Sequence, residues 1–341
     1  MKGFPAMCAS ISIGLVLGVV ILALLALPML AQRSAPLRRP VRRAKKTVYL
    51  MAIGNSFSND ATKYLSRLAE AGGHKLVFGH AMIGGCPLEK HWRLAQKHEA
   101  DASDPEGRPY QVRRSDGTVK SLSLKELLQS RSWQYVTIQQ VSNESYKVTT
   151  YRPYAQKLAD YVRQYAPQAE LVIHETWEYR IDHPLYSEKR LTPERMYEGL
   201  HSAYAKIAGE LGVKTILPVG SAFRNVQHDP RWVMDIERDV KPEAFKPPAL
   251  PRQVHSLWVG YYWSKKTNPP SLGHDGKHAS TAGRYLGAAV WYEVFFGDVR
   301  DVEYVPRGLP KQDAVLLREI AHKTVRENRR AATQPARKSA K

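Results

Sequence analysis

"TVYLMAIGNSFSND", residues 47–60, decides how this chain is read. Its first eight residues are almost wholly apolar, show no alternation and end in glycine. That pattern suits a strand covered on both faces, as in a parallel sheet, rather than a half-exposed one. Polar residues follow at once: Asn55, Ser56, Ser58 and Asn59. Ala61, Tyr64, Leu65, Leu68 and Ala69 then fall on one helical face, and Gly72-Gly73 ends it. On this spacing Ser58 and Asn59 cap the helix, which leaves Ser56 in the turn, free to face a cleft. Taken alone, a serine here is more often a helix-entry residue than a nucleophile.

The alternation set up by that stretch continues. "HKLVFGHAMIGG" (74–85), "WQYVTIQQ" (133–140), "AELVIHETW" (169–177) and "KTILPVGSAF" (214–223) read as strands with their exits. Helical stretches lie between and after them at 88–100, 152–167, 192–212 and 281–297, with a short one at 124–129. Thr192 is placed as an N-cap and Gly212 as a stop. Residues 108–123 resemble a hairpin turning at Ser115-Asp116-Gly117. Strands alternating with helices predict an α/β fold: a three-layer α/β/α sandwich on a mainly parallel five-stranded sheet. Residues 226–256, rich in proline and charge, are expected to form an insertion near the edge where ligands bind.

The ends differ from this body. Residues 9–31 are apolar throughout and long enough to span a bilayer, so residues 1–31 read as a signal peptide or an uncleaved anchor. Residues 32–46 read as a basic linker, 47–325 as one domain, and 326–341 as a disordered basic tail. The positive-inside rule would keep the basic residues after the apolar run in the cytoplasm. Export is nonetheless expected, with the body periplasmic or extracellular. The net charge of +19 comes mostly from the ends: residues 1–46 hold eight Lys/Arg and no acid, and residues 326–341 hold six and one acid. No nucleic-acid partner is expected, because solvated basic arms explain the excess. Two cysteines, Cys8 and Cys86, leave the body without an internal disulfide.

In an open parallel sheet ligands gather beyond the carboxyl ends of the strands. "GNSFS", "IGGCPL" and "QQVSNES" follow strand ends, and "GHDGKHAS" precedes the last of these helices. Together they hold what acyl transfer needs. Ser56 is the candidate nucleophile and His278 its base, with Asp275 three residues earlier to orient the imidazole. The backbone N–H groups of Ser56 and Gly85 are candidate oxyanion donors, with a side-chain amide from Gln140 or Asn143. The scattered His80, His91, His174 and His274 form no His-Glu-x-x-His pattern, so neither metal nor cofactor is expected. Trp177 is expected to pack rather than to stack on a sugar.

These segments resemble the blocks of the SGNH (GDSL-like) hydrolases, and more specifically a bacterial SGNH-like family of unknown function. The resemblance covers residues 47–297. "AIGNSFS" is similar to the first block, with Asn55 where many members have aspartate and Phe57 where they have leucine. "IGGCPLEKHW" is similar to the block that supplies the oxyanion glycine, here Gly85. "GHDGKHASTAGRYLGAAVWYE" is similar to the last block, Asp-x-x-His before a helix bearing Gly283. The third block departs: it aligns either with Gly-x-Asn-Asp, making Asn143 the donor with Val141 in place of glycine, or with the Gln-Gly-Glu form of carbohydrate acetylesterases, making Gln140 the donor. Gln140 is favoured. The resemblance implies a flavodoxin-like fold and metal-free ester hydrolysis through an acyl-enzyme, often on acyl groups of carbohydrates or lipids. A glycan or small-molecule ester is the expected substrate, with no obligate protein partner. The competing reading is an inactive glycan-binding domain anchored at a membrane by residues 9–31.

Overall fold

The computed structural model describes residues 44–113 and 116–333. The expected leader, and the expected linker up to residue 43, lie outside the described residues. Among the described residues no helix is long and apolar enough to cross a membrane.

The opening strand, β1 (Thr47–Gly54), is followed directly by α1 (Ser56–Thr62). Leu50, Met51, Ala52 and Ile53 are all wholly buried, as a run without alternation requires. Next come α2 (Leu65–Ala71), β2 (Lys75–Met82) and α3 (Leu88–Ala100). The antiparallel pair β3 (Tyr110–Arg113) and β4 (Val119–Leu122) forms the expected hairpin, with Arg114 and Ser115 of its turn outside the described residues. A capping box between Ser123 and Glu126 starts α4 (Leu124–Gln129). Then follow β5 (Tyr135–Ile138), α5 (Tyr154–Tyr165), β6 (Glu170–Glu175) and the short α6 (Leu185–Lys189). Thr192 caps α7 (Pro193–Leu211) by accepting from the Arg195 N–H, and Gly212 ends it in the left-handed region, as the sequence predicts. The fifth sheet strand, β7 (Thr215–Pro218), passes straight into α8 (Val219–Gln227).

The sheet order is β2-β1-β5-β6-β7, with every pair parallel. The chain moves outward from β1 in one direction to β2 and in the other to β5. The carboxyl ends of β1 and β5 therefore flank the topological switch point, where this class of sheet binds ligands. Right-handed crossovers put α5 and α7 on the face opposite α1 and α2. Helices α3 and α4 pack with α5; α8, α9 (Thr281–Phe295) and α10 (Lys311–Thr333) join α1 and α2 on the other face.

Three elements differ from the sequence reading. The helix after β1 starts at Ser56, and its N-cap is Asn55, whose Oδ1 accepts the Phe57 N–H at 3.0 Å; Ser58 and Asn59 lie inside it. The insertion expected over residues 226–256 begins only after α8, at 228, and runs to 257, with the two-residue strands β8 (Asp235–Ile236) and β9 (Gln253–Val254) paired antiparallel. They lead into a hairpin of β10 (Trp258–Ser264) and β11 (Ser271–Ala279), so the Asp275–His278 segment is strand rather than loop. The tail expected from residue 326 is helical up to Thr333, because α10 buries Ala314, Leu317, Ala321 and Val325 on one stripe while exposing most of its charges.

Candidate active site

Ser56 is the first residue of α1, one step past the cap that turns the chain out of β1. Its Oγ lies 2.8 Å from His278 Nε2, and His278 Nδ1 lies 2.7 Å from Asp275 Oδ2. The three predicted residues thus form one hydrogen-bonded line, although 222 positions separate Ser56 from His278.

Asp275 and His278 reach the same side through a bulge. On a regular strand, residues three apart face opposite sides. Here Gly260 pairs with Asp275 but Trp258 pairs with Ala279, so Val259 alone opposes Gly276, Lys277 and His278. The extra residues swing His278 round to the carboxylate. Most of the freed backbone groups have partners. Asp275 Oδ1 accepts the Lys277 and His278 N–H groups, each at 3.0 Å. The Gly276 carbonyl accepts the Arg180 N–H at 2.8 Å, and the Lys277 carbonyl accepts Trp177 Nε1–H at 3.0 Å. The Ala279 N–H donates to Asp60 Oδ2 on α1 at 2.9 Å, and Arg284 Nε holds the other oxygen at 2.8 Å. Asp60 therefore ties the helix of the nucleophile to the strand of its base.

The electrostatics follow from these contacts. The hydrogen bond to Asp275 raises the His278 pKa against the opposing effect of burial. Burial pushes the Asp275 carboxyl up, but the His278 ring and the two backbone N–H groups outweigh it and hold it well below the usual carboxylate range. Beneath the imidazole, Phe57 stacks on Trp177 with centroids 4.4 Å apart, and Trp177 stacks on Phe223 at 4.6 Å. Trp177 is fully buried, so it packs, as expected.

The predicted oxyanion donors divide. Gly85 is the third residue of a turn closed by the Cys86 N–H donating to the Ile83 carbonyl, and its φ of +61° suits glycine. The peptide there is exposed. Gln140 does not serve. It is fully buried; its Nε2 donates to the Thr150 carbonyl at 2.8 Å, and its Oε1 accepts from the Leu88 N–H at 3.1 Å and the Val141 N–H at 2.9 Å. A glutamine leaving a strand here satisfies turning backbone, and with a second Nε2 contact to Thr150 Oγ1 at 3.3 Å its amide is committed within the fold. Asn143 is exposed in the following turn, where Ser142 Oγ meets Tyr179 OH at 2.9 Å.

Sequence reasoning missed the residues that hold this arrangement. Asn55 noticeably joins two site segments: besides capping α1, its Nδ2 donates to the Cys86 carbonyl at 3.1 Å, beside the Gly85 turn. Arg180, fully buried, forks onto Asp182 at 2.6 and 2.7 Å beside the bulge. Only the block resemblance flagged Asn55, and nothing local flagged Asp60 or Arg180. Among the described residues, Glu293, Asp298 and His322 bring ligand atoms within 4.8 Å of one another. There Arg300 already forks onto Asp298, and the group sits at the end of α9 far from the bulge.

Fold and site together define the class: an α/β/α sandwich on a parallel five-stranded sheet, with a serine at the exit of β1 in line with the histidine of an Asp-x-x-His segment ahead of α9. Within it, the chain belongs to the family described as "Domain of unknown function (DUF4886)", which it matches over residues 49–245. It is similar to the crystal structure of a DUF4886 family protein from Bacteroides uniformis, with 25% identity and a TM-score of 0.63, covering 83% of this chain and 96% of that one. It also resembles, more remotely, a provisional SGNH hydrolase from Slackia heliotrinireducens (18% identity, TM-score 0.43, 74% of this chain and 98% of that one). An acetylxylan esterase from Geobacillus stearothermophilus is more distant again (13% identity, TM-score 0.35, 74% and 95%). No curated protein matches the sequence.

Proposed function

We propose that this protein is a serine hydrolase that cleaves carboxylic esters through an acyl-enzyme on Ser56, with acyl groups borne by carbohydrates as its substrate class. The observation that carries this reading is the unbroken Ser56–His278–Asp275 line, with heavy-atom distances of 2.8 and 2.7 Å. A serine hydroxyl is a poor nucleophile until a base removes its proton. His278 Nε2 is within reach to do so, and Asp275 keeps the proton on Nδ1 and stabilises the imidazolium. Attack on the ester carbonyl gives a tetrahedral oxyanion, for which the Ser56 and Gly85 N–H groups and the Asn143 amide are the candidate donors. His278 then protonates the leaving alcohol. Water, deprotonated by the same ring, releases the acid.

The test is labelling of the full chain, solubilised in detergent, with a fluorophosphonate, followed by peptide mapping. Stoichiometric modification of Ser56, with p-nitrophenyl acetate hydrolysis that Ser56→Ala lowers by roughly 10³-fold or more, is the expected result. An unlabelled Ser56, or equal hydrolysis by the two proteins, overturns the assignment and returns the glycan-binding reading. Acetylated oligosaccharides compared with long-chain esters then decide the substrate class.

A further inference from the structure

Behind the nucleophile turn runs a line of buried polar side chains that the chemistry above does not use. His174, at the end of β6, places Nδ1 2.8 Å from Gln139 Oε1; Gln139 Nε2 lies 2.8 Å from Asn55 Oδ1. Asn55 in turn meets the Phe57 N–H and the Cys86 carbonyl. All three side chains are at most 2% exposed.

The direction of this line is fixed from one end. A backbone N–H can only donate and a carbonyl only accept. Asn55 must therefore turn Oδ1 to Phe57 and Nδ2 to Cys86. Gln139 must then offer an N–H to Oδ1, which points its own oxygen at His174. His174 must carry its proton on Nδ1. Its Nε2 is left without a hydrogen-bond partner among the described residues, edge-on to Trp291 with centroids 5.1 Å apart. A buried, unsatisfied ring nitrogen costs stability. An apolar residue in its place would escape that cost but could not orient Gln139.

We infer that His174 and Gln139 are positioning residues: a one-way series of donors, from His174 to Gln139 to Asn55 to Cys86, locks the start of α1 and the Gly85 turn into one mutual geometry. This rests on the serine-hydrolase reading, since what it positions is the nucleophile against its oxyanion donors. Burial holds the other two histidines facing this region, His80 and His91, at a pKa of about 4, so they stay neutral near neutral pH.

Gln139→Glu tests it with a change of one atom. A protonated glutamic acid can still donate to Asn55 Oδ1, whereas the carboxylate repels it. The ratio of Ser56 fluorophosphonate labelling in the variant to that in the wild type should therefore fall as pH rises, by roughly ten- to hundredfold between about pH 5 and 9. The ratio cancels the titration of His278. His174→Phe should slow labelling at every pH, and His174→Gln, which restores a donor, should recover it. If His174→Phe does not fold, the Gln139→Glu ratio decides. A ratio constant with pH overturns the relay. Imidazole ¹⁵N NMR of the wild type gives a reading independent of reactivity: a proton on Nδ1 of His174 supports the relay, and one on Nε2 overturns it. Failure of wild-type Ser56 to label would sink the hydrolase reading instead, with the tautomer still deciding the relay.

Discussion

Ser56 and Ser58 are two positions apart on the same helix, and the partner of each hydroxyl separates their roles. Ser58 Oγ donates to the Asn55 carbonyl and meets His80 Nε2 at 2.8 Å, a closed and buried arrangement. Among the described residues Ser56 Oγ meets only the imidazole that Asp275 orients, at a partly open position. The same contrast separates Gln139, which points toward the nucleophile turn, from Gln140, which points away. The sequence places both glutamines at the strand exit, but which way each side chain points depends on the turn that follows, and no local pattern reveals it. The acid limb of the pH–rate profile should report His278. Because Asp275 raises its pKa, ester hydrolysis should fall away below a midpoint above the ordinary histidine value of about 6.5. In Asp275→Asn that midpoint should move to lower pH, with kcat reduced by about 10⁴-fold, as in a serine protease. A limb that stays in place on mutation would contradict the assignment of His278 as the base.

The β10–β11 hairpin shows what an element needs before it can be read from sequence. Strand β1 and helix α7 announce themselves, one by an unbroken apolar run and the other by a cap, a stripe and a glycine. The hairpin's second strand, β11, is polar, glycine-bearing and bulged, so period-2 alternation is broken where the candidate site sits. Helix α10 was hidden in a different way, its apolar stripe ending in a run of charge that resembles a tail. The bulge also depends on a neighbour with no side chain. Gly260 has φ +69°, and a Cβ there would lie 2.3 Å from Arg180 Nη1 and 2.1 Å from Gln253 Oε1. Gly260→Ala should cost about 2–3 kcal/mol in urea unfolding and lower ester hydrolysis with it. Gly209→Ala, in an open position inside α7, should instead stabilise by about 0.5–1 kcal/mol. Equal effects at the two sites would show that the crowding at Gly260 is relieved by small shifts.

For the molecule as a whole, stability should depend on pH through Glu178, a fully buried residue between Trp177 and Tyr179. One oxygen accepts from Gln227 Nε2 at 2.7 Å, and the other has no hydrogen-bond partner among the described residues. Burial pushes its pKa up to about 7. The folded protein thus keeps a proton that the unfolded chain gives up above about 4.5, and the stability this group contributes is lost as pH rises from about 4.5 to about 7. Glu178→Gln should therefore be about 3 kcal/mol more stable than the wild type at pH 8 and similar to it at pH 4. A difference that does not grow with pH between those points would remove Glu178 from this role. The five parallel strands and the grouping of Ser56, Asp275 and His278 were legible because local signals set each strand and their exits share one edge; the strand order was not. Nor were the supporting residues: Asp60 and His174 act on partners far away in sequence, and Arg180, although it forks onto nearby Asp182, meets the bulge only through the fold.

The span between Ser56 and His278 has a consequence for synthesis. The ribosome delivers the serine in the first strand–helix unit and the base only after all five sheet strands have been made. A nascent or truncated chain that ends anywhere before β11 carries the hydroxyl without anything to activate it. On the proposed chemistry, reactivity therefore reports a chain made at least through β11: a shorter copy would hold the serine and do nothing with it.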